Sequence, residues 1–231
     1  MIKTVIFDVD NTLYSYTKAH EAAFEALSSY AEHELGLSRN IFVKLHQETE
    51  RELKVYMGDT AAVHNRCIRY QIMLEHQGLP LYPHVLRMND LYWNALLGAA
   101  VPVAGAVDAM KRLKKQGLRI GIGTDMTARM QFEKLEALGL LPYVDFLVSS
   151  EETGVEKPDP AFFARCVEKA GCRRDECLFV GDSLKKDVQG AADAGLAAVW
   201  YDPEDSGDPA DVSRITDMVQ LLQITGRLRL P

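Results

Sequence analysis

The chain has 231 residues, of which 47% are hydrophobic, and a formal net charge of -7. That length suits one large domain or a core with a substantial insertion, and the apolar content is ample for a packed interior, which excludes a disordered or fibrous chain. The acidic balance, without a basic run of five or more, argues against a nucleic-acid partner, and no stretch approaches the roughly 18 apolar residues of a membrane span.

The opening segment MIKTVIFDVDNTLY carries an apolar run only from Val5 to Phe7 before acids interrupt it, so it is no secretory h-region and the expected location is the cytoplasm. Lys3 to Asp8 is expected to be a buried parallel strand. Roughly Ser15 to Gly98 has a different character, with no convincing strand and four amphipathic helical patterns. Phe24, Leu27, Ala31 and Leu35 form one stripe, and Phe42, Leu45, Thr49, Leu53 and Tyr56 a second. Val63, Cys67, Tyr70 and Leu74 form the third, and Val85, Met88, Tyr92 and Ala95 the fourth. Such stripes predict a small helical bundle, residues 15–99, inserted into a core made of residues 1–14 and 100–231.

Beyond the insertion, strands and helices alternate. Val107, Met110 and Leu113 mark a helix closed by Gly117, followed by a strand from Leu118 to Gly123. Met130 or Phe132, with Leu135 and Leu138, mark a helix closed by Gly139, and Val144 to Val148 reads as a strand. Asp159-Pro160 opens a helix, as N-cap and N1 proline, that stops near Gly171. A strand from Cys177 to Val180, a helix from Ser183 to Ala194 and a strand from Ala197 to Trp200 complete the series. The acidic stretch Asp202 to Asp211 lacks calcium-loop spacing and reads as a solvated loop. The alternation predicts an α/β fold with a doubly wound parallel sheet, whose ligands bind at the carboxyl ends of the strands.

Four cysteines (Cys67, Cys166, Cys172, Cys177) form no C-x-x-C pair and fit reduced core thiols. The six histidines all precede residue 100 and are expected on helix surfaces; His20-Glu21 begins like a zinc-binding H-E-x-x-H, but Phe24 stands where the second histidine belongs.

The expected strand ends carry the chemistry. Asp8 and Asp10 are two residues apart after the first strand, so both side chains can point the same way. The second strand ends in Gly123-Thr124-Asp125, a hydroxyl and backbone N–H groups at a helix start that suit phosphate oxygens. Lys157-Pro158 follows the third strand, placing an ammonium to neutralise phosphate charge and keep Asp8 ionised. The fourth ends in Gly181-Asp182-Ser183, with Asp187 beyond, and acids with no His or Cys nearby point to Mg²⁺.

Asp8-Val9-Asp10-Asn11-Thr12-Leu13, Thr124, Lys157-Pro158 and Gly181-Asp182-Ser183-x3-Asp187 resemble the four motifs of the haloacid dehalogenase-like superfamily. The helical insertion between the first and second motifs resembles that superfamily's C1-type cap, and Thr127 to Pro142 with Asn11 to Tyr14 is similar to its nucleotidase-like members. The resemblance implies a Rossmann-like core and hydrolysis of a small phosphorylated metabolite, a nucleoside monophosphate among the candidates. Asp8 would attack phosphorus to form an aspartyl-phosphate, while Asp10 protonates the leaving oxygen and then activates water. Thr124, Asp125 and Lys157 would bind the phosphate. Mg²⁺ would be held by an Asp8 oxygen, the Asp10 main-chain carbonyl and Asp182, with Asp187 and Ser183 one layer out, orienting Lys157 or metal waters. As an acid, Asp10 needs a pKa well above the ordinary value of about 3.9. Many relatives carry Asn or Gly where Asp125 stands, so a side-chain contact there adds negative charge beside the phosphate. The helical insertion is expected to close over the strand ends, exclude water and select small substrates.

The acid at position 10 favours phosphoryl transfer over a haloacid dehalogenase, and a sugar phosphomutase is the other enzyme that keeps both aspartates. A receiver-like phosphoacceptor module also places acids, a hydroxyl and a lysine at a sheet edge, but it needs neither the leaving-group acid nor a lid. No nucleic-acid or membrane partner is expected, and the chain is read as a monomer or homodimer.

Overall fold

A computed structural model of the chain describes residues 1–207 and 212–227. The last part of the stretch read as a solvated loop, residues 208–211, lies outside the described residues, as do residues 228–231. Two compact units are formed, one from Met1–Ser15 with the chain from Val101 onward, the other from Tyr16–Ala100.

The first unit is built on a parallel sheet of β1 (Thr4–Phe7), β2 (Arg119–Thr124), β3 (Phe146–Ser149), β4 (Cys177–Gly181), β5 (Ala197–Tyr201) and β6 (Arg214–Ile215), in the order β3-β2-β1-β4-β5-β6. The chain builds outward from β1 to β3, then crosses to the other side of β1 for β4 to β6, which is the doubly wound pattern. Because β1 pairs with both β2 and β4, the ends of three strands remote in sequence lie side by side, one strand spacing of about 4.8 Å apart. Strand β6 was not anticipated; at two residues it is too short to leave a periodic signal.

Helices cover the sheet because their apolar stripes need burial. The helix Pro160–Ala170 starts where Asp159 accepts a hydrogen bond from the Ala161 amide at 2.8 Å, and it buries Phe162, Phe163 and Cys166 against Ile6, Val148 and Phe179. The segment expected as one helix after Ser183 begins as a π-helical turn, Leu184–Gln189, in which the Val188 amide reaches the Ser183 carbonyl five residues back. In the helix Ala128–Ala137 the buried face differs from expectation: Phe132 is exposed, whereas Gln131 and Lys134 are buried beside Leu135. The polar pair faces inward because it meets carboxylate and hydroxyl partners there.

The second unit is wholly helical among the described residues: α1 (Tyr16–Leu35), α2 (Arg39–Met57), α3 (Arg66–His76) and α4 (His84–Ala99), with a short 3₁₀ turn at Ala61–His64. Helix α1 lies along α4, and α2 packs on α1 and α3. The stripe on α2 runs through Phe42, His46, Thr49 and Leu53, while Tyr56 is exposed. His46 thus corrects the surface assignment: it is buried against the rings of Phe24 and Phe42, at centroid distances of 5.1 and 6.0 Å. No helix among the described residues is long and apolar enough to cross a membrane.

Burial, reinforced by Arg69 and Arg66, presses the His46 pKa down to about 3. An unfolded histidine titrates near 6.5, so above that pH the residue is neutral in both states, and below it only the unfolded chain gains the proton. Stability from this source is therefore lost as the pH falls from 6.5 toward 3, by about 2 kcal/mol at pH 5. His46→Gln removes that dependence. Urea unfolding at pH 7.5 and pH 5 is expected to show the variant gaining on the wild type by about 2 kcal/mol over the interval; a constant difference contradicts the assignment.

Candidate active site

Strand β1 is buried along its whole length and delivers Asp8 to the sheet edge, where the Asp8 amide still bonds to the Val180 carbonyl at 2.9 Å. The chain then turns back tightly: the amides of Thr12 and Leu13 both bond the Val9 carbonyl, and Asn11 takes a left-handed φ of 61°. Asparagine tolerates that conformation better than most residues. The turn aims the Thr12 hydroxyl at Asp182, 3.2 Å away at the end of neighbouring β4.

Lys157 enters from the loop beyond β3. Its ammonium is buried and lies 2.7 Å from Asp8 Oδ1 and 2.7 Å from Asp187 Oδ1. The loop is held by Asp125, whose Oδ1 accepts the Lys157 amide at 3.0 Å and whose Oδ2 accepts Lys186 Nζ at 2.9 Å. Lys186 also reaches Glu156 at 3.2 Å. Both carboxylate oxygens of Asp125 are thus engaged in holding the lysine loop, which accounts for an acid at this position.

Asp187 sits on the π-helical turn, with its second oxygen accepting the Ser183 amide at 3.0 Å. Gly181 makes this possible, since a Cβ there would overlap the Asp187 carboxylate. Ser183 caps the turn, its hydroxyl accepting the Lys186 amide at 3.2 Å. The main-chain carbonyl of Asp182 is held by Trp200 Nε1 at 2.8 Å.

Asp8, Asp182 and Asp187 bring carboxylate oxygens within 4.8 Å of one another. Burial, together with the charges of Asp187, Asp182 and Asp10, pushes the Asp8 carboxyl well above its ordinary range despite Lys157. Burial and Asp187 raise Asp182 to about 6. Lys157 is buried too, yet Asp187 and Asp8 hold it firmly protonated. One ammonium among three acids leaves net negative charge in a place of low dielectric, and that imbalance fits an added divalent cation. The donors are all oxygens, which suits Mg²⁺. Asp8 and Asp182 are the residues that would hold it, while the oxygens of Asp187 are taken up by Lys157 and the Ser183 amide.

Asp10 occupies a second, separate environment. Both its oxygens accept from Lys134 Nζ, at 2.7 and 2.8 Å; the Tyr14 hydroxyl donates at 2.5 Å and Gln131 Nε2 at 3.1 Å. Gln131 also donates to the Thr124 hydroxyl at 3.0 Å and to the Asp125 carbonyl at 2.8 Å, which ties Asp10 to the end of β2. Burial works to raise the Asp10 pKa, but the charge and hydrogen bond of Lys134, with Tyr14 and Gln131, outweigh it and lower the value. This reverses the expectation of a raised pKa, because the sequence reading did not include Lys134. A signal was there to find: Gln131 and Lys134 share the helical stripe of Leu135 and Leu138, which puts two polar residues on a buried face.

The family model of haloacid dehalogenase-like hydrolases matches residues 2–195. A ribulose-1,5-bisphosphate 5-phosphatase from Halopiger xanaduensis is 38% identical over 214 residues, covering 91% of this chain and 89% of that protein. A glyceraldehyde 3-phosphate phosphatase from Methanopyrus kandleri is 32% identical, covering 86% and 83%. The pyrimidine 5'-nucleotidase YjjG of Escherichia coli is 35% identical over 143 residues, covering 59% and 63%. Among solved structures, the hydrolase YfnB of Bacillus subtilis, bound to magnesium, superposes with a TM-score of 0.74 at 23% identity, covering 97% and 99%.

Lys134→Met keeps the length of the side chain and removes its charge, so the Asp10 pKa is expected to rise. A carboxyl titration followed by infrared difference spectroscopy, with the Asp10 band assigned through Asp10→Asn, measures this directly. An unmoved Asp10 titration in Lys134→Met contradicts the electrostatic account.

Proposed function

The chain belongs to the haloacid dehalogenase-like hydrolase family and is a phosphatase, and on that premise we propose that it hydrolyses a small phosphorylated sugar-type metabolite through an aspartyl-phosphate on Asp8. The observation that carries the reading is Asp8 itself, held at the centre of the sheet edge with Lys157 at 2.7 Å and two further acids beside it. The class of substrate is supported by the two relatives that align along most of their length, which act on a sugar bisphosphate and a triose phosphate. A nucleoside monophosphate is the second reading, favoured by the likeness to the pyrimidine nucleotidase over the shorter span.

In this mechanism an Asp8 carboxylate oxygen attacks phosphorus, the bond from phosphorus to the ester oxygen breaks, and Asp10 gives that oxygen a proton. Water then attacks the aspartyl-phosphate, Asp10 takes the water proton, and Asp8 departs as carboxylate. Lys157 lowers the repulsion between an anionic nucleophile and an anionic ester, with the Thr124 hydroxyl and the main-chain amide of Asp125 donating to phosphate oxygens. Asp8, Asp182 and the Asp10 main-chain carbonyl would hold Mg²⁺, which would supply the remaining positive charge. Asp10 is ready as a base in the geometry described above. To serve as the acid it must first be released from Lys134, so that the lysine governs the proton inventory of Asp10 from one step to the next.

The test is phosphate release from an aryl phosphate, with and without Mg²⁺. Asp8→Asn is expected to abolish turnover, and Asp10→Asn to lower kcat by about 10²- to 10⁴-fold. The Mg²⁺ requirement is expected to grow more stringent as the pH falls through about 6, where protons compete for Asp182. Full activity in Asp8→Asn, or metal-independent turnover, sinks the mechanism.

A further inference from the structure

Helix α3 of the helical unit carries two arginines one turn apart, Arg66 and Arg69, and both are almost completely buried, at 5% and 2% exposure. Arg66 Nη2 donates to the hydroxyls of Tyr16 and Tyr92, each at 3.1 Å, and its guanidinium lies 4.6 Å from the centroid of the Tyr92 ring and 5.9 Å from that of Trp93. Its Nε and Nη1 are buried without a hydrogen-bond partner, as are Nε of Arg69, the Tyr70 hydroxyl and Nε2 of His46. Arg69 pairs with Glu50 at 3.1 Å, but Glu50 is half exposed to water, and no carboxylate pairs with Arg66 among the described residues.

Two buried cations with one solvated counterion are an expensive arrangement for a fold to keep. A buried charge without a counterion is costly, and stacking on aromatic rings returns only part of that cost. Orphaned buried donors on this scale are rare in native proteins and mark a missing partner. The free groups define that partner's chemistry. All the orphaned arginine atoms are donors, the charge excess is positive, and a guanidinium matches the oxygens of phosphate or carboxylate. Half-buried Tyr16 and His20 join the network through the Tyr92 hydroxyl, at 3.2 and 2.8 Å, so the cluster extends to partly solvated residues.

We propose that Arg66, Arg69 and Tyr70 form an oxyanion-binding site in the helical unit, taking a phosphate or carboxylate group other than the phosphate that is hydrolysed. The anion is a free one, inorganic or organic, and the site does not depend on the phosphatase reading.

Tungstate soaks of crystals of the full chain test this. Anomalous density is expected within hydrogen-bond distance of Arg66 and Arg69 in the wild type, and none there in Arg66→Gln or, should that variant not fold, Arg69→Gln. Tungstate confined to the acids near Asp8, or no density at the arginines, overturns the proposal.

Discussion

A single ammonium group, Lys157 Nζ, shared between Asp8 and Asp187 at 2.7 Å each, is the interaction around which the sheet edge is organised. Much of the neighbouring structure exists to keep it there. Asp125 and Lys186 fix the loop that carries Lys157, the π-helical turn brings Asp187 back toward β4, and Gly181 leaves room for its carboxylate. Even so, Lys157 cannot balance Asp8, Asp182 and Asp187 together. The raised pKa values of Asp8 and Asp182 express that deficit, and a divalent cation with oxygen ligands is the simplest way to remove it. A site in this condition is poised for a phosphate ester, which brings negative charge that only the cation and the lysine together can accept.

The second aspartate lives under different electrostatics although it is two residues away. Asp8 is crowded by acids, whereas Asp10 is surrounded by the donors Lys134, Tyr14 and Gln131. Two carboxylates with opposite environments are the usual basis for dividing nucleophilic and acid–base roles within one site. The direction found for Asp10, below its ordinary value, is set against burial chiefly by Lys134, so in the proposed mechanism the proton of Asp10 depends on that lysine. Gln131 extends the same network to Thr124, so the proposed acid–base residue and the proposed phosphate-binding hydroxyl are held by one side chain.

The sheet was legible in the sequence because buried parallel strands are short apolar runs, and the motifs at their ends were legible because strand ends are where loops carry chemistry. Asp8, Thr124, Lys157 and Asp182 belong to strand ends or to the loops directly after them, and the strand order gathers them. What escaped notice belonged to helix faces. His46, Gln131 and Lys134 were hidden because a polar residue on an amphipathic pattern is normally assigned to solvent, and only tertiary partners reverse that assignment. Arg66 and Arg69 were passed over for the same reason, and the partners of the Asp125 side chain were not legible because the Lys157 amide and Lys186 are 32 and 61 residues away.

The central claim is that Asp8 is a covalent nucleophile, and the most direct test is to trap the intermediate. Borohydride reduces an acyl-phosphate to an alcohol, so enzyme quenched during turnover of a phosphate monoester and reduced is expected to carry homoserine in place of aspartate at position 8, identified by peptide mass spectrometry. The same mass change at another acid, or its absence at Asp8 while phosphate is being released, contradicts the account.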